Sequence, residues 1–374
     1  MKVALVHDWL TGMRGGEKVL EVLCELHPDA DIFTLVHRRG AVSQTIERHR
    51  IRTSFIQHLP LALGHYRSYL PLFPYAIEQF DLDAYDLVIS SSHCAAKAVV
   101  PAGRARHISY CHSPMRYAWD QFDAYFGPAR VGAAASRWFY RPMLAHLARW
   151  DASTATRVDR FIANSIHVAG RIRRYYKRVA TVVHPPVDTV FYQPADVRPG
   201  AHFLIVSALV PYKRIELAIT ACERVGAGLR IVGDGPDRER LERQAGRSVT
   251  FLGRLTDEQV RDEYRRALAV ILPGEEDFGI VPVEAQACGR PVVALGRGGA
   301  LETVTEGETG VLFDADDPGE LPDALAGALD RVARLPFDSN AIRHHAEHFS
   351  RERHRDQMRA LIDETANAPA GTRW

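Results

Sequence analysis

Residues 271–294 constrain what this chain can fold into more than any other stretch. Residues 269–272, Ala-Val-Ile-Leu, form a short apolar run of the buried-strand kind. Pro273 and Gly274 end it, and Phe278, Gly279 and Ile280 lie where a helix would begin. Pro282 suits a first helical turn, where a missing N–H costs nothing. Gly289 is placed to stop the helix, Pro291 bars its continuation, and residues 291–294 start the next strand. Strand, loop, short helix, turn and strand in succession are the grammar of an α/β sheet. The free N–H groups around residues 278–281 form an anion site at a helix N-terminus. Two carboxylates bracket it: Glu276 precedes the helix and Glu284 sits about one turn inside. Phosphate and carboxylates want different partners, so the stretch suits a ligand carrying both phosphate and hydroxyls, as a nucleotide sugar does. Taken alone, the same residues also fit an ordinary surface loop with acids at a helix start.

The same grammar runs through the chain. Residues 2–7 read as a buried parallel strand, 8–16 as a loop containing Gly12, Gly15 and Gly16, and 17–26 as a helix. Further strands are expected at 31–36, 86–90 and 107–111, with residues 161–165 closing the last strand of the first half. Pro185 and Pro186 make a stiff boundary, after which strands at 203–207, 229–232, 249–252 and 269–272 alternate with helices at 215–225 and 236–244. The glycine spacing of 8–16 is wrong for the dinucleotide fingerprint, and Arg238 fills the third glycine position after Gly233 and Gly235. Open parallel sheets place ligands beyond the carboxyl ends of their strands. His112, just past the strand at 107–111, is therefore a functional candidate; a structural loop histidine is the alternative. Arg116 and Trp119 follow it, suited to a phosphate and a sugar face.

Four matches in the second half carry a family resemblance. They are Ser207 to Arg214 with Lys213 after a strand, Gly233-Asp-Gly235-Pro236, Phe251-Leu-Gly253-Arg254, and the stretch from Glu276 through Glu284 with Gly298 and Gly299 beyond it. The ordered set resembles glycosyltransferase family 4, retaining enzymes of GT-B fold that use nucleotide-sugar donors. The resemblance implies two doubly wound Rossmann-like α/β domains facing a cleft. It implies an acceptor-binding domain at 1–185, a nucleotide-sugar-binding domain at 186–348, and a helix at 349–374 that returns to the first domain. It implies that Glu276 contacts hydroxyls of the donor sugar and Glu284 the ribose. The backbone of Phe278, Gly279 and Ile280 would meet the diphosphate, together with Lys213 and the Gly15–Gly16 pair. Ser207, Gly233 and Arg254 join the donor set, and His112, Lys213 and Glu276 are the residues expected to carry catalysis. Arg14, Arg116 and Trp119 are assigned to the acceptor.

One departure stands out. The family usually pairs the lysine with an arginine five residues earlier, where this chain has Ala208. A charge-assisted contact of about 1.5–3 kcal/mol is thereby missing, and Arg214 is expected to supply it, with Arg14 the alternative. The family's mechanism is front-face substitution without a metal, and no carboxylate here is identifiable as a covalent nucleophile. The loops around Asp8 and Leu209 look most like those of bacterial GDP-mannose-dependent mannosyltransferases of surface-polysaccharide assembly, whose acceptors are lipid-linked glycans. A UDP-sugar-dependent transferase, a UDP-amino-sugar 2-epimerase of the same architecture and a silent nucleotide-sugar-binding protein remain alternatives.

Composition narrows the rest. With 374 residues, 46% of them hydrophobic, the chain is long enough for two packed cores. A net charge of +1 gives no global nucleic-acid signal. Five cysteines without a C-x-x-C pair argue against a disulfide framework. The apolar start meets His7 and Asp8 too soon for a signal peptide, and no apolar run approaches the roughly 20 residues of a span. A cytoplasmic chain is expected, with any membrane contact peripheral. Two segments suit such contact. Residues 51–80 interleave leucines and aromatics with arginines, and 129–181 hold eleven basic residues from Arg130 to Arg178 around Trp138, Phe139 and Tyr140. A buried helical hairpin and a solvated basic face are the plainer readings.

Overall fold

The computed structural model describes residues 1–369, 371, 372 and 374; residues 370 and 373, within the C-terminal stretch, lie outside the described residues. The chain divides into two compact units, Met1–Pro186 with Glu352–Trp374, and Val187–Arg351.

The first unit is built on seven parallel strands: β1 (Val3–His7), β2 (Asp31–Thr34), β3 (Ile51–Thr53), β4 (Leu87–Ser92), β5 (Arg106–Cys111), β6 (Arg160–Ala163) and β7 (Ala180–Val182). Their spatial order is β3-β2-β1-β4-β5-β6-β7. A parallel sheet covered on both faces needs strands apolar throughout, and all five residues of β1 are buried. Successive side chains alternate between two cores. Leu5, Ile89 and Ile108 pack under helix Gly15–Leu26 through Val19, Leu20 and Leu23. Ala4, Val6 and Val88 pack with Phe33, Tyr66 and Phe73 on the other face. The C-terminal helix, Arg351–Asn367, lays Met358 and Ile362 on the first of these cores. Burying two such side chains contributes about 2 kcal/mol each. Arg160 adds an ion pair to Glu364 at 2.7 Å.

The second unit repeats the plan with β8 (His202–Val206), β9 (Gly228–Val232), β10 (Val249–Gly253), β11 (Ala269–Leu272), β12 (Val292–Leu295) and β13 (Gly310–Phe313), all parallel, in the order β10-β9-β8-β11-β12-β13. In both sheets the order reverses beside the unit's first strand, between β1 and β4 and between β8 and β11. That switch point is where open α/β sheets leave a crevice.

The structure differs from the sequence reading at three places that matter. Gly15 and Gly16 belong to the first helical turn, not to the loop. Glycine is tolerated there because the first N–H groups have no partner inside the helix, and Glu17 at the third position accepts the Arg14 N–H at 3.0 Å. The first sheet ends not at 161–165 but at β7, which pairs with β6 after helix Ile166–Tyr176. The helix expected at 349–374 spans Arg351–Asn367 and is preceded by a separate helix, Ser339–Glu347. Between them Phe349 packs against Phe278, ring centroids 5.7 Å apart, while its carbonyl accepts the Val187 N–H at 3.0 Å.

The first unit also carries a pH dependence. His107 is buried between Ser90 Oγ at 2.9 Å and the Arg157 carbonyl at 3.0 Å. Burial pushes its pKa from 6.5 down to about 4. The unfolded chain therefore binds a proton that the folded chain refuses, so this contribution to stability is present above pH 6.5 and is lost as pH falls towards 4. The slope is about 1.4 kcal/mol per pH unit for one such group. Urea unfolding at pH 7 and pH 5 is expected to show the loss, and His107→Gln is expected to reduce it.

Candidate functional site

In the second unit the predicted residues collect at the carboxyl ends of the strands. Ser207 follows β8, Gly233 follows β9, Arg254 follows β10 and Glu276 follows β11. Because β8 and β11 are neighbours, the loops after them meet. Lys213, on the tight turn Pro211–Lys213, forms an ion pair with Glu276, and both side chains are largely covered. Gly274 lets the two loops close: a Cβ there would lie 2.7 Å from the Tyr212 carbonyl oxygen. The Glu276 carbonyl accepts the Gly299 N–H at 2.8 Å, tying the loop after β12 to the same place. Gly279 takes a left-handed φ of 84° as the N-cap of helix Ile280–Ala287. That conformation favours glycine and leaves the first-turn N–H groups of residues 280–282, proline excepted, without helical acceptors.

Other members of the donor set are placed as follows. Gly233 has φ 127°, and a side chain there would collide with the Ser207 carbonyl oxygen. Its role in the fold is close approach of the β8 and β9 ends. Arg214 sits at φ 53° as the N-cap of helix Ile215–Arg224, and its guanidinium has no ion-pair partner among the described residues. Ala208 is exposed. Arg254 is 83% exposed and lies 3.7 Å from Asp234, a loose surface pair. Phe278 is buried, and Gly299 packs against its backbone, where a Cβ would lie 2.3 Å from the Phe278 Cα. Glu284 is buried on the inner side of its helix, where one oxygen accepts the Tyr264 hydroxyl at 2.9 Å.

The first unit gathers a second cluster at its own switch point. Asp8, just past β1, is buried and accepts four backbone N–H groups from the turn after β4: His93 at 2.7 Å, Cys94 at 3.0 Å, Ala95 at 2.6 Å and Ala96 at 2.8 Å. His93 Nδ1 is 3.2 Å from the same carboxylate. His112 follows β5, with Nε2 2.8 Å from Ser91 Oγ and its carbonyl bonded by Asn164 at 2.9 Å. Burial, and then the neighbouring His93 and His7, hold His112 well below the usual histidine range, so it is neutral at pH 7. Gly16 packs against this cluster: a Cβ there would be 3.3 Å from His7 and 3.5 Å from His112. Gly15 shares that turn, and the Arg14 side chain is exposed beside it.

Arg116 and Trp119 lie on the short helix Arg116–Trp119. Trp119 stacks on Tyr175 with centroids 4.6 Å apart, and its indole N–H bonds Asp151 at 2.8 Å. Asp151 is in turn buried against Lys97 at 2.9 Å and Tyr176 at 2.9 Å. One face of the indole is thus occupied. His7, Asp8, Ser91 and His93 were not singled out by sequence reasoning. The signal that points to them is a run of polar residues at strand ends where apolar ones are the rule.

Residues 51–80 split between two environments. Ile56, Tyr66, Leu70 and Phe73 join the core, whereas Leu61, Leu72 and Tyr75 are exposed. They form short turns rather than a helical hairpin. In the basic region, Arg157 pairs with Glu78, Arg171 with Asp120 and Arg178 with the Ala155 and Val158 carbonyls. Trp138, 74% exposed, and Phe139 stand out from the surface next to Arg137. Among the described residues no helix is long and apolar enough to cross a membrane, and no group of three or more His, Cys, Asp and Glu is arranged to hold a metal ion.

Two domain families match this chain in tandem. Residues 13–191 match the model described as Glycosyltransferase Family 4, and residues 197–344 match Glycosyl transferases group 1. The chain therefore joins a glycosyltransferase family 4 domain to a glycosyl transferases group 1 domain. Among curated relatives, D-inositol 3-phosphate glycosyltransferase 2 of Catenulispora acidiphila is 34% identical over 224 residues, 50% of this chain and 52% of that protein. The D-inositol 3-phosphate glycosyltransferase of Mycolicibacterium smegmatis is 33% identical over 226 residues, 51% of this chain and 50% of that protein. The chain spans about half the length of the curated relatives it matches. Among solved structures, Anabaena HepE in complex with UDP superposes with a TM-score of 0.69 at 17% identity, covering 97% of this chain and 100% of that one. Sucrose-phosphate synthase from Thermosynechococcus elongatus gives 0.71 at 20% identity, covering 97% and 99%. These likenesses show the fold, two Rossmann-like domains of the GT-B class.

Proposed function

We propose that this chain is a retaining glycosyltransferase that moves a hexose, mannose from GDP-mannose, onto a lipid-linked or polysaccharide acceptor. The observation that carries the reading is the Lys213–Glu276 pair at the β8/β11 switch point, beside the start of helix Ile280–Ala287. As the glycosidic bond breaks, negative charge grows on the leaving phosphate. Lys213 is a compact cation suited to it, and first-turn N–H groups add fixed dipoles. Glu276 accepts hydroxyls of the sugar, and Glu284 those of the ribose. With Lys213 and helix dipoles meeting the diphosphate, transfer is proposed to proceed without a metal, so activity is expected to persist in a chelator. The first unit supplies His112, a neutral imidazole, and holds the acceptor through Arg14, Arg116 and the open face of Trp119.

Arg214 replaces the arginine missing at Ala208. Arg214→Ala is expected to slow turnover about 10- to 100-fold, the worth of one charge-assisted contact, and unchanged turnover rules this out. Exposed Leu61, Tyr75, Trp138 and Phe139 among arginines suit peripheral contact with anionic lipid; co-sedimentation with anionic but not neutral vesicles tests it.

A second reading keeps the fold and changes the donor to a UDP-sugar. It is favoured by the HepE complexes with UDP and UDP-glucose. The experiment that separates the two is thermal stabilisation by GDP, UDP and ADP and their sugar conjugates, since a ligand that binds the folded state raises the melting temperature by mass action. Selective stabilisation by GDP and GDP-mannose supports the mannosyl donor. Selective stabilisation by a UDP-sugar overturns it, and stabilisation by none overturns the transferase reading.

A further inference from the structure

The polar cluster behind His112 has an internal direction. His7 and Ser91 are register partners on β1 and β4. They occupy the last inward position of the face that carries Leu5, Ile89 and Tyr110, because side chains alternate along a strand. Ser91 Oγ lies 3.1 Å from His7 Nδ1 and 2.8 Å from His112 Nε2. A hydroxyl has one proton, so Ser91 can donate to at most one of the two histidines and must accept from the other if it does. The choice is made at the far end. His7 Nε2 is buried and without a hydrogen bond among the described residues, 3.8 Å from Glu17 Oε1. A lone pair of His7 aimed at that carboxylate is repelled, whereas an N–H is attracted. His7 therefore carries its proton on Nε2 and offers Nδ1 as acceptor. Ser91 donates to His7 Nδ1 and accepts from His112 Nε2–H.

We infer that Glu17, His7 and Ser91 act as positioning residues that hold neutral His112 as its Nε2–H tautomer, so that His112 Nδ1 presents a lone pair to a substrate hydroxyl. His112 Nδ1 makes no hydrogen bond among the described residues. The same chain fixes the plane of the imidazole, and Gly16, with no Cβ between helix and rings, allows the helix to pack closely on both histidines. The inference rests on the reading of His112 as a site residue, but the tautomer itself does not depend on any activity.

The test is long-range 1H–15N correlation on protein labelled at histidine nitrogens, with the His112 signals assigned by their loss in His112→Gln. The expected result is a protonated Nε2 and an unprotonated Nδ1 at pH 7. Ser91→Ala and Glu17→Gln are expected to populate the other tautomer, and Ser91→Thr, which keeps the hydroxyl, to restore the original. A protonated Nδ1 in the unaltered protein overturns the inference, as does an unchanged tautomer in folded Ser91→Ala and Glu17→Gln. If burial of Glu17 makes its variant fail to fold, Ser91→Ala and Ser91→Thr decide alone. With a working donor and acceptor, Ser91→Ala is expected to lower kcat at least about tenfold, with the donor KM little changed and Thr rescuing the rate; equal loss in both variants overturns it. A protein that shows the tautomer but binds no nucleotide sugar refutes the functional reading and leaves the chain of hydrogen bonds standing.

Discussion

Lys213→Ala and Glu276→Ala are each expected to lower sugar transfer by about 100- to 1,000-fold, with the melting temperature little changed. Both residues are on loops past strand ends, where truncation leaves the two cores intact. The two losses have different signatures. Lys213 is assigned to the diphosphate, so its removal weakens binding of the nucleoside diphosphate and removes positive charge where the leaving phosphate becomes more negative. The barrier then rises by about 3–4 kcal/mol. Glu276 is assigned to the sugar hydroxyls. Its removal is expected to leave nucleoside diphosphate binding near normal while transfer fails, because the sugar is no longer held for reaction. The ion pair between them has a further consequence. In Glu276→Ala, Lys213 loses its partner and is free for phosphate, so GDP or UDP binding is expected to hold or tighten. Lys213→Arg is not a rescue, since a planar fork does not place charge where a compact ammonium does. Near-normal rates in folded variants refute the assignment. Steady-state kinetics with calorimetric titration of the diphosphate measure both signatures.

Asp8→Ala is expected to cost on the order of 4 kcal/mol of stability. The carboxylate is fully buried and accepts the N–H groups of His93, Cys94, Ala95 and Ala96. Truncation leaves four donors in a site that water reaches poorly, and each unpaired buried group costs about 1–3 kcal/mol before relaxation. Asp8→Asn is no substitute, because one of its two oxygens becomes an N–H donor facing other donors. A domain is stable by only about 5–15 kcal/mol, so the loss is a large fraction of the total. Urea unfolding measures it, with Asp123→Ala as control, since that carboxylate is 80% exposed. Equal midpoints for Asp8→Ala and the unaltered protein overturn the account. A folded but weakened Asp8→Ala is also expected to loosen the turn that carries His93, and with it the surroundings of His112.

The contrast between these two sites separates what is local from what is not. Strand β11 over Ala269–Leu272 coincides with the expectation for that stretch, and the helix after it begins at Ile280, beside Gly279. These are local matters: an apolar run between turn residues, a left-handed glycine, a proline in a first turn. The two-domain α/β plan follows in the same way from repeated apolar strands and helices. Glu276 and Lys213 were legible as loop residues past strands.

Their pairing was not legible, because it spans 63 residues and exists only because β8 and β11 are neighbours. Strand order is settled by which apolar faces pack best across the whole unit, and no window of sequence contains it. Gly15 and Gly16 read as loop because glycine is a poor helix former, yet both open a helix, with Gly16 packed against His7 and His112. Phe349 interrupts a strongly helical stretch because its ring is buried against Phe278, which lies 71 residues away. Asp8, His7 and Ser91 gave little signal singly. Their meaning comes from register, which sets His7 beside Ser91, and from the helix that brings Glu17 over them. Sequence by itself determined the elements and the chemistry available at their ends, since propensity and period act over a few residues. Tertiary structure alone decided which of those groups share a hydrogen bond, because that depends on strand order and register set by the entire core.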